Sequence, residues 1–175
     1  MWAVFMAALC LGVCMRLVKV NQAFYELCKE NGVDGELLQD KDGRPCVLLV
    51  TMKYKEKDRD FVIPLRSNIS GKTNTREFKS LPPNKNTRKG NRHGIHYTKM
   101  FPVSKDYIET YLIDQNDYLS KVKAIIDRSE KEIIKSAKDY LYRYENGRKH
   151  PFAPDIDGII KMLDDRVNNI VESET

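Results

Sequence analysis

Cys46-Val-Leu-Leu-Val50 and Phe61-Val-Ile-Pro-Leu65, separated by the charged stretch Lys55–Asp60, decide how this chain is read. Each is a continuous apolar run of five, too short for a helix and rich in branched side chains, so each reads as a buried strand. Lys53-Tyr54 extends the first, and the charged residues between them form a turn, which makes the pair a hairpin. Pro64 has no N–H to give to a ladder, so the second strand is expected to reach a sheet edge or a bulge there.

Working outward, Arg16–Val20 alternates apolar and charged residues as a half-buried strand does. Asn21 is placed to cap a helix carrying Phe24, Leu27 and Cys28 on one face, and Asn31-Gly32 is placed to stop it. Residues 33–43 are polar, with Asp42-Gly43 as a turn signal. Ser70 to Arg92 reads as a long polar loop, and a loop of that length in a compact domain is usually functional or disordered. Ile95–Val103 reads as a further strand. From Ser104 the period changes. A short helix is expected around Tyr107, Ile108, Tyr111 and Leu112. A long amphipathic helix follows, with Leu119, Val122, Ile125, Ile126, Ile133, Ala137, Tyr140, Leu141 and Tyr144 on its stripe, ending at Asn146-Gly147. A last helix carries Ile156, Ile159, Ile160, Leu163, Val167 and Ile170. Strands first and helices later argue an α+β fold, a small, strongly twisted sheet or barrel with helices packed on it and a helical C-terminal part.

The length of 175 residues fits one domain, and 41% hydrophobic with 31% charged residues is too apolar for wholesale disorder. The formal net charge of +5 is unevenly spread. Nine Lys and Arg fall between Arg66 and Lys99 with Glu77 as the only acid, so this stretch carries +8 and the remainder −3. A local cationic segment is what a phosphate-binding footprint looks like, and equally what a solubilising loop looks like. Cys10, Cys14, Cys28 and Cys46 match no zinc spacing and no dense disulfide framework, which points to reduced thiols in a cytoplasmic protein. No metal site or cofactor is expected.

Residues 1–14 are uncharged and form an apolar extension to a domain spanning 15–175. The run is short for a bilayer span and has no preceding Lys or Arg, as a signal peptide would. A mis-assigned start, with Met15 as the true first residue, is the favoured expectation. A signal or anchor, and a docked helix, are the alternatives. No stable membrane association is expected.

Three strand ends carry chemistry-bearing residues: Arg44 before Pro45, Arg66-Ser67 after Pro64-Leu65, and His96-Tyr97-Thr98-Lys99. If these strands are neighbours, cations, hydroxyls and an imidazole converge. Arg suits bidentate phosphate contact, Lys adds charge, imidazole exchanges protons near neutrality, and Ser can orient a hydroxyl.

Taken in order, Met15-Arg-Leu-Val-Lys-Val-Asn-Gln-Ala-Phe-Tyr25, Gly43-Arg-Pro-Cys-Val-Leu-Leu-Val50, Phe61 to Ser67 and Gly94 to Lys99 resemble the ToxN/AbiQ/TenpN group of type III toxin–antitoxin toxins, over about residues 15 to 145. The resemblance implies a twisted barrel of the MazF/Kid toxin type. It implies metal-independent, sequence-specific cleavage of cellular or phage RNA, by attack of the 2′-hydroxyl to leave a 2′,3′-cyclic phosphate. It further implies inhibition by a small repetitive antitoxin RNA, with a higher-order protein–RNA assembly possible. Ser67 matches the family's active-site Ser and Arg44 its cation at a strand start. Arg66 departs from the Thr found there in the best-known members. The candidate catalytic set is therefore Ser67, Arg66, Lys99, His96 and Arg44. The candidate RNA-binding set is Lys72, Arg76, Lys85, Arg88, Lys89 and Arg92, with Tyr25 and Tyr97 as candidate stacking rings whose favoured alternative is a place in the core. A non-catalytic RNA- or DNA-binding module using the same patch is the alternative, and a regulator tethered by residues 1–14 a third.

Overall fold

The hairpin is present and longer than expected. In the computed structural model, which describes residues 15–37, 47–111 and 116–173, strand β2 (Val47–Tyr54) turns into β3 (Lys57–Ser70) through Lys55-Glu56 alone. Both turn residues have positive φ, 46° and 65°, as the tight hairpin turn requires and as Asn-Gly usually supplies. The strain is offset from outside the hairpin. The Lys55 backbone N–H donates to Glu145 Oε1 (3.1 Å), and Lys55 Nζ donates to Asp157 Oδ1 (2.6 Å). Sequence alone placed the turn across 55–60 because no Asn or Gly marks it.

Among the described residues, seven antiparallel strands form the sheet. β1 (Arg16–Val20) lies between β2 and β7 (Ile108–Thr110); β3 pairs with β2 on one side and with β5 (Asn91–His96) and β6 (Phe101–Pro102) on the other; β4 (Phe78–Leu81) completes the path as β4-β5-β3-β2-β1-β7. Pro64 faces Val47, the first residue of β2, and β3 passes from β2 to β5 just beyond it. The α+β class holds. The sheet stays open, with β4 and β7 as its edges, so the described strands do not close the barrel that the resemblance implies.

Four helices cover the sheet: α1 (Gln22–Glu30), α2 (Asp117–Arg128), α3 (Glu130–Glu145) and α4 (Ile156–Ser173). Asn21 caps α1 by accepting from the Phe24 N–H (3.2 Å), and Gly32 leaves it at φ +68°. Strand alternation separates two apolar clusters. Leu48, Val50, Met52, Phe61 and Ile63 pack with Val122, Ile126, Ile133 and Ala137 of α2 and α3. Val18, Val20, Leu49, Val62 and Phe101 pack with Phe24 of α1 and with Ile159 and Met162 of α4. Phe24 and Phe101 stack at 5.6 Å, an arrangement that adds about 0.5–1.5 kcal/mol to their burial. Cys28 is buried, and burial first, then Asp34, pushes its thiol up to about 12, so it is an inert core thiol.

Four expectations are corrected. Ser70–Arg92 is not one loop, because Phe78 and Leu81 are buried in β4, paired to β5. The helix expected after Ser104 is one short turn, Lys105–Tyr107, followed by β7, whose backbone is claimed by β1. The long helix breaks at Ser129, whose N–H donates to Ile125 and Ile126 carbonyls (both 3.0 Å). Val167 faces solvent. The 1–14 segment, the Asp42-Gly43 turn, Arg44, Leu112 and the cysteines other than Cys28 lie outside the described residues, as does the Ile170 side chain. Among the described residues no helix is long and apolar enough to cross a membrane.

The hairpin turn is tied to the helices by Asp157. Its carboxylate accepts from Tyr54 Oη (2.9 Å), Lys55 Nζ (2.6 Å) and Lys149 Nζ (3.0 Å). Partial burial pushes the carboxyl up, but hydrogen bonds from Lys55, Lys149 and Tyr54 outweigh it and hold it at about 2. A lowered folded-state pKa stabilises the protein above the ordinary carboxylate range and is lost as pH falls through about 4 toward 2. Because the group is about one-third exposed, solvent screening leaves a contribution of about 1 kcal/mol. Asp157→Asn is expected to lower Tm at pH 7 by ~2–4 °C and by less at pH 2.5. An equal loss at both pH values removes the charged role assigned to Asp157.

Candidate functional site

β3 carries the chemistry through a bulge. Arg66 pairs with Gly94 and Ile69 with Arg92, so three steps on β3 face two on β5, and Ser67-Asn68 absorbs the excess. Consecutive strand residues point to opposite faces. Arg66 accordingly joins His96 in a pocket of about 710 Å³, whereas Ser67 lines a separate cavity of about 480 Å³ with His93 and Tyr118. Arg66 and Ser67 are neighbours in sequence yet serve different cavities.

A second local device completes the first pocket. The strand expected over 95–103 ends at His96, and Tyr97–Lys99 forms one 3₁₀ turn before β6. On a continuous strand His96 and Lys99 would face opposite ways. The turn brings Thr98 Oγ1 within 2.9 Å of His96 Nε2 and leaves Lys99 on the same pocket. Arg66 Nη1 lies 3.1 Å from His96 Nδ1. A guanidinium only donates, so Nδ1 accepts and the neutral ring carries its proton on Nε2, donating to Thr98. Burial first, then Arg66, Lys99 and His150, lower the imidazole to about 3, so it is neutral at pH 7. Sequence reasoning placed Arg66 and Lys99 with this imidazole but gave it an ordinary pKa, because its burial was not visible.

Lys99 is 9% exposed at its side chain and its Nζ donates to Glu36 Oε2 (2.6 Å) and to the Glu36 carbonyl (3.3 Å). Glu36 was not among the sequence candidates. Nor was His150, which reaches the pocket from the connection between α3 and α4. Asn68, also on this pocket, accepts from the Arg88 N–H (2.9 Å) and donates to the Asn86 carbonyl (2.9 Å), which fixes the basic 84–90 turn over β3.

In the other cavity, Ser67 Oγ accepts from Asn84 Nδ2 (2.8 Å). His93 Nδ1 and Tyr118 Oη lie 2.7 Å apart, and Tyr118 donates to the Pro82 carbonyl (2.7 Å). Burial lowers the His93 imidazole and pushes the Tyr118 phenol up to about 12.

The expected cationic surface is distributed. All six cations are exposed, but Lys72 lies on the Arg66 pocket, Lys85 on the Ser67 cavity, and Arg76 beside α3 with Asp139 and Tyr142. Arg92 sits 5.7 Å from the Phe78 ring. Tyr25 and Tyr97 are both 2% exposed, packed in the two apolar clusters, so neither offers a free ring face to a base. Arg44 lies outside the described residues. Among the described residues no three His, Cys, Asp or Glu are grouped to hold a metal ion.

No protein-family profile matches the chain, and no curated protein does. Two solved structures are similar to it. One comes from a bacterial antiviral system regulated by a processed non-coding RNA, at TM-score 0.63 and 12% identity over 83% of this chain and 95% of that one. The other concerns bacterial type III toxin–antitoxin systems, with selective inhibition of the toxin by a non-coding RNA pseudoknot, at TM-score 0.64 and 12% identity over 87% of this chain and 97% of that one. At this identity the likeness is one of architecture, and it meets the resemblance drawn from the sequence: the chain has the ToxN-like fold of type III toxin–antitoxin toxins.

Proposed function

We propose that this protein is a type III toxin that cleaves single-stranded RNA without a metal and is held inactive by a small repetitive antitoxin RNA. The observation that carries the reading is the convergence of Arg66, His96, Thr98 and Lys99 on one open pocket within a ToxN-like fold. RNA brings its own nucleophile. The 2′-oxygen attacks phosphorus and loses its proton, the P–O5′ bond breaks, and the 5′-oxygen gains a proton, leaving a 2′,3′-cyclic phosphate and a 5′-hydroxyl. The enzyme's task is to hold the phosphate, stabilise the charge that builds on it and move protons.

Arg66 and Lys99 supply the charge. A phosphate placed between them displaces Glu36 from Lys99 and draws Arg66 from His96 Nδ1. Both changes favour proton uptake by the imidazole, because the two cations that lower it are then neutralised by the ligand. Neutralising the two cations makes His96 a stronger base than in the free protein, while burial, the largest influence lowering it, remains. Ser67, matched by the resemblance, orients the chain of the substrate from the neighbouring cavity. Arg44, which precedes β2 in sequence, is the further cation that the resemblance implies, and the exposed Lys72, Lys85, Arg88, Lys89 and Arg92 guide the phosphate backbone. Cellular or phage RNA is the substrate class, in the cytoplasm.

The purified protein is expected to cut RNA in excess EDTA and to leave cyclic-phosphate ends, detected by mass and by their resistance to periodate oxidation, and to phosphatase until acid opens the ring. Transcripts of short tandem repeats lying upstream of the reading frame are expected to block the cutting. Salt-dependent binding with no product converts the protein into a non-catalytic RNA-binding module. Absence of both binding and product removes the RNA reading altogether.

A further inference from the structure

Residues 146–155, between α3 and α4, carry two side chains to which the cleavage chemistry above gives no task. His150 and Phe152 both line the Arg66 pocket. Phe152 is 61% exposed, and its ring lies 5.7 Å from that of His150 at 51°. Single exposed apolar residues are ordinary. This one lines a pocket that also holds Arg66, Lys72 and Lys99, with Glu36 and Glu77, so an aromatic face and phosphate-binding charge occur in one pocket. That pairing is how proteins hold unpaired nucleotides, with the ring under the base and the cation at the backbone.

The backbone supports the pair. The Phe152 N–H donates to His150 Nδ1 (3.2 Å), so the neutral imidazole carries its proton on Nε2. Nε2 makes no hydrogen bond to another described residue. It is a donor without an acceptor, half-buried on a pocket lined with phosphate-binding groups. The segment is anchored at both ends. Tyr144 Oη donates to the Pro154 carbonyl (3.2 Å) and accepts from the Ile156 N–H (3.1 Å), and the Ala153 N–H donates to the His150 carbonyl (3.0 Å). The two rings are therefore presented on a fixed turn.

We propose that His150 and Phe152 form a nucleotide subsite, in which Phe152 stacks on an unpaired base and His150 Nε2–H donates to a phosphate oxygen beside the one held by Arg66 and Lys99. The subsite rests on the RNA reading for its ligand class and adds to it the element that distinguishes unpaired from paired RNA. Tyr25 of α1 and Tyr97 of the 3₁₀ turn are buried, so the stacking role moves to this connection.

The test separates binding from cleavage. The probe is a short, fluorescently labelled single-stranded oligonucleotide with 2′-O-methyl riboses, which offers no nucleophile, and its affinity is read by anisotropy. Phe152→Ala is expected to weaken binding about 5- to 150-fold without changing the slope of affinity against salt. Phe152→Trp is expected to retain it. Lys72→Ala is expected to reduce that slope by roughly 0.7. His150→Ala is expected to weaken binding and His150→Gln to restore it, since the Gln amide N–H reaches near the position of Nε2–H. Duplex RNA of the same sequence is expected to bind wild type and Phe152→Ala alike. Unchanged affinity of Phe152→Ala for the single strand overturns the subsite, as does an equal loss on duplex. If wild type cleaves RNA while Phe152→Ala binds as tightly, the subsite falls and the cleavage reading stands. If wild type binds as predicted but yields no product, the cleavage reading falls and the subsite stands.

Discussion

Arg66→Ala is expected to lower the rate of RNA cleavage by about 10²–10³-fold, the usual consequence of removing one fixed donor from a developing phosphorane-like charge. Tm is expected to stay within about 3 °C of wild type, because Arg66 is only half-buried and its described side-chain hydrogen bond is to His96. The same substitution has a spectroscopic signature. Burial and Arg66 are the two largest influences holding the His96 imidazole at about 3. Without Arg66 the imidazole is expected to titrate at a higher pH, read from its ring proton shifts. The sign for stability follows. A histidine buried neutral stabilises the fold above its unfolded pKa, and that contribution is lost as pH falls. The variant should therefore lose less stability than wild type on acidification from about pH 6.5. Arg66→Lys keeps charge but not the planar fork, so it is expected to recover only part of the rate. Full activity in Arg66→Ala, with the His96 shift observed, moves the chemistry out of this pocket. The Ser67 cavity, with His93, Tyr118 and Lys85, is then the remaining candidate.

The parts of this fold legible in the sequence are those where periodicity and burial coincide. Leu48–Val50 and Phe61–Ile63 are apolar runs because both faces of their strands meet helices. The helical stripes were equally plain, but the break at Ser129 was not. Ile126 and Ile133 are seven residues apart, two helical turns, so the stripe passes through the break unchanged. β4 was hidden because only Phe78 and Leu81 mark it, in a stretch otherwise polar, and its partner β5 is itself polar over Asn91–Gly94. The candidate site was legible as a set of residue types and less so as a geometry. Arg66 and Ser67 were grouped because they are adjacent, although strand alternation separates adjacent side chains. His96 and Lys99 were grouped for the same reason and are indeed together, through a 3₁₀ turn that nothing in Tyr97-Thr98-Lys99 announces. Glu36, His150 and Phe152 come from connections distant in sequence, where no local pattern marks a role.

Gly94→Ala is expected to be the most damaging small substitution in the sheet. A Cβ at Gly94 would meet the backbone oxygen of Lys79 well inside contact distance, with Lys79 C and Phe78 Cδ2 each at 3.1 Å. The first obstacle is backbone of the neighbouring strand, which cannot rotate away as a side chain would. β4 must therefore move off β5, and overpacking of this kind costs about 1–3 kcal/mol or more. In a chain of this size that corresponds to a drop of roughly 2–12 °C in Tm. The loss is not only one of stability. Ser80 pairs with Gly94 and Phe78 with His96, so a displaced β4 alters the backing of the imidazole held between Arg66 and Thr98. Cleavage is expected to fall even at temperatures where the variant remains folded. Gly35→Ala is the control: an added Cβ there meets nothing within 4 Å, and the change is expected to stay within about 0.5 kcal/mol. A Gly94→Ala protein as stable and active as wild type would mean that β4 does not press on β5 at this position, and the pocket would lose the strand that fixes His96.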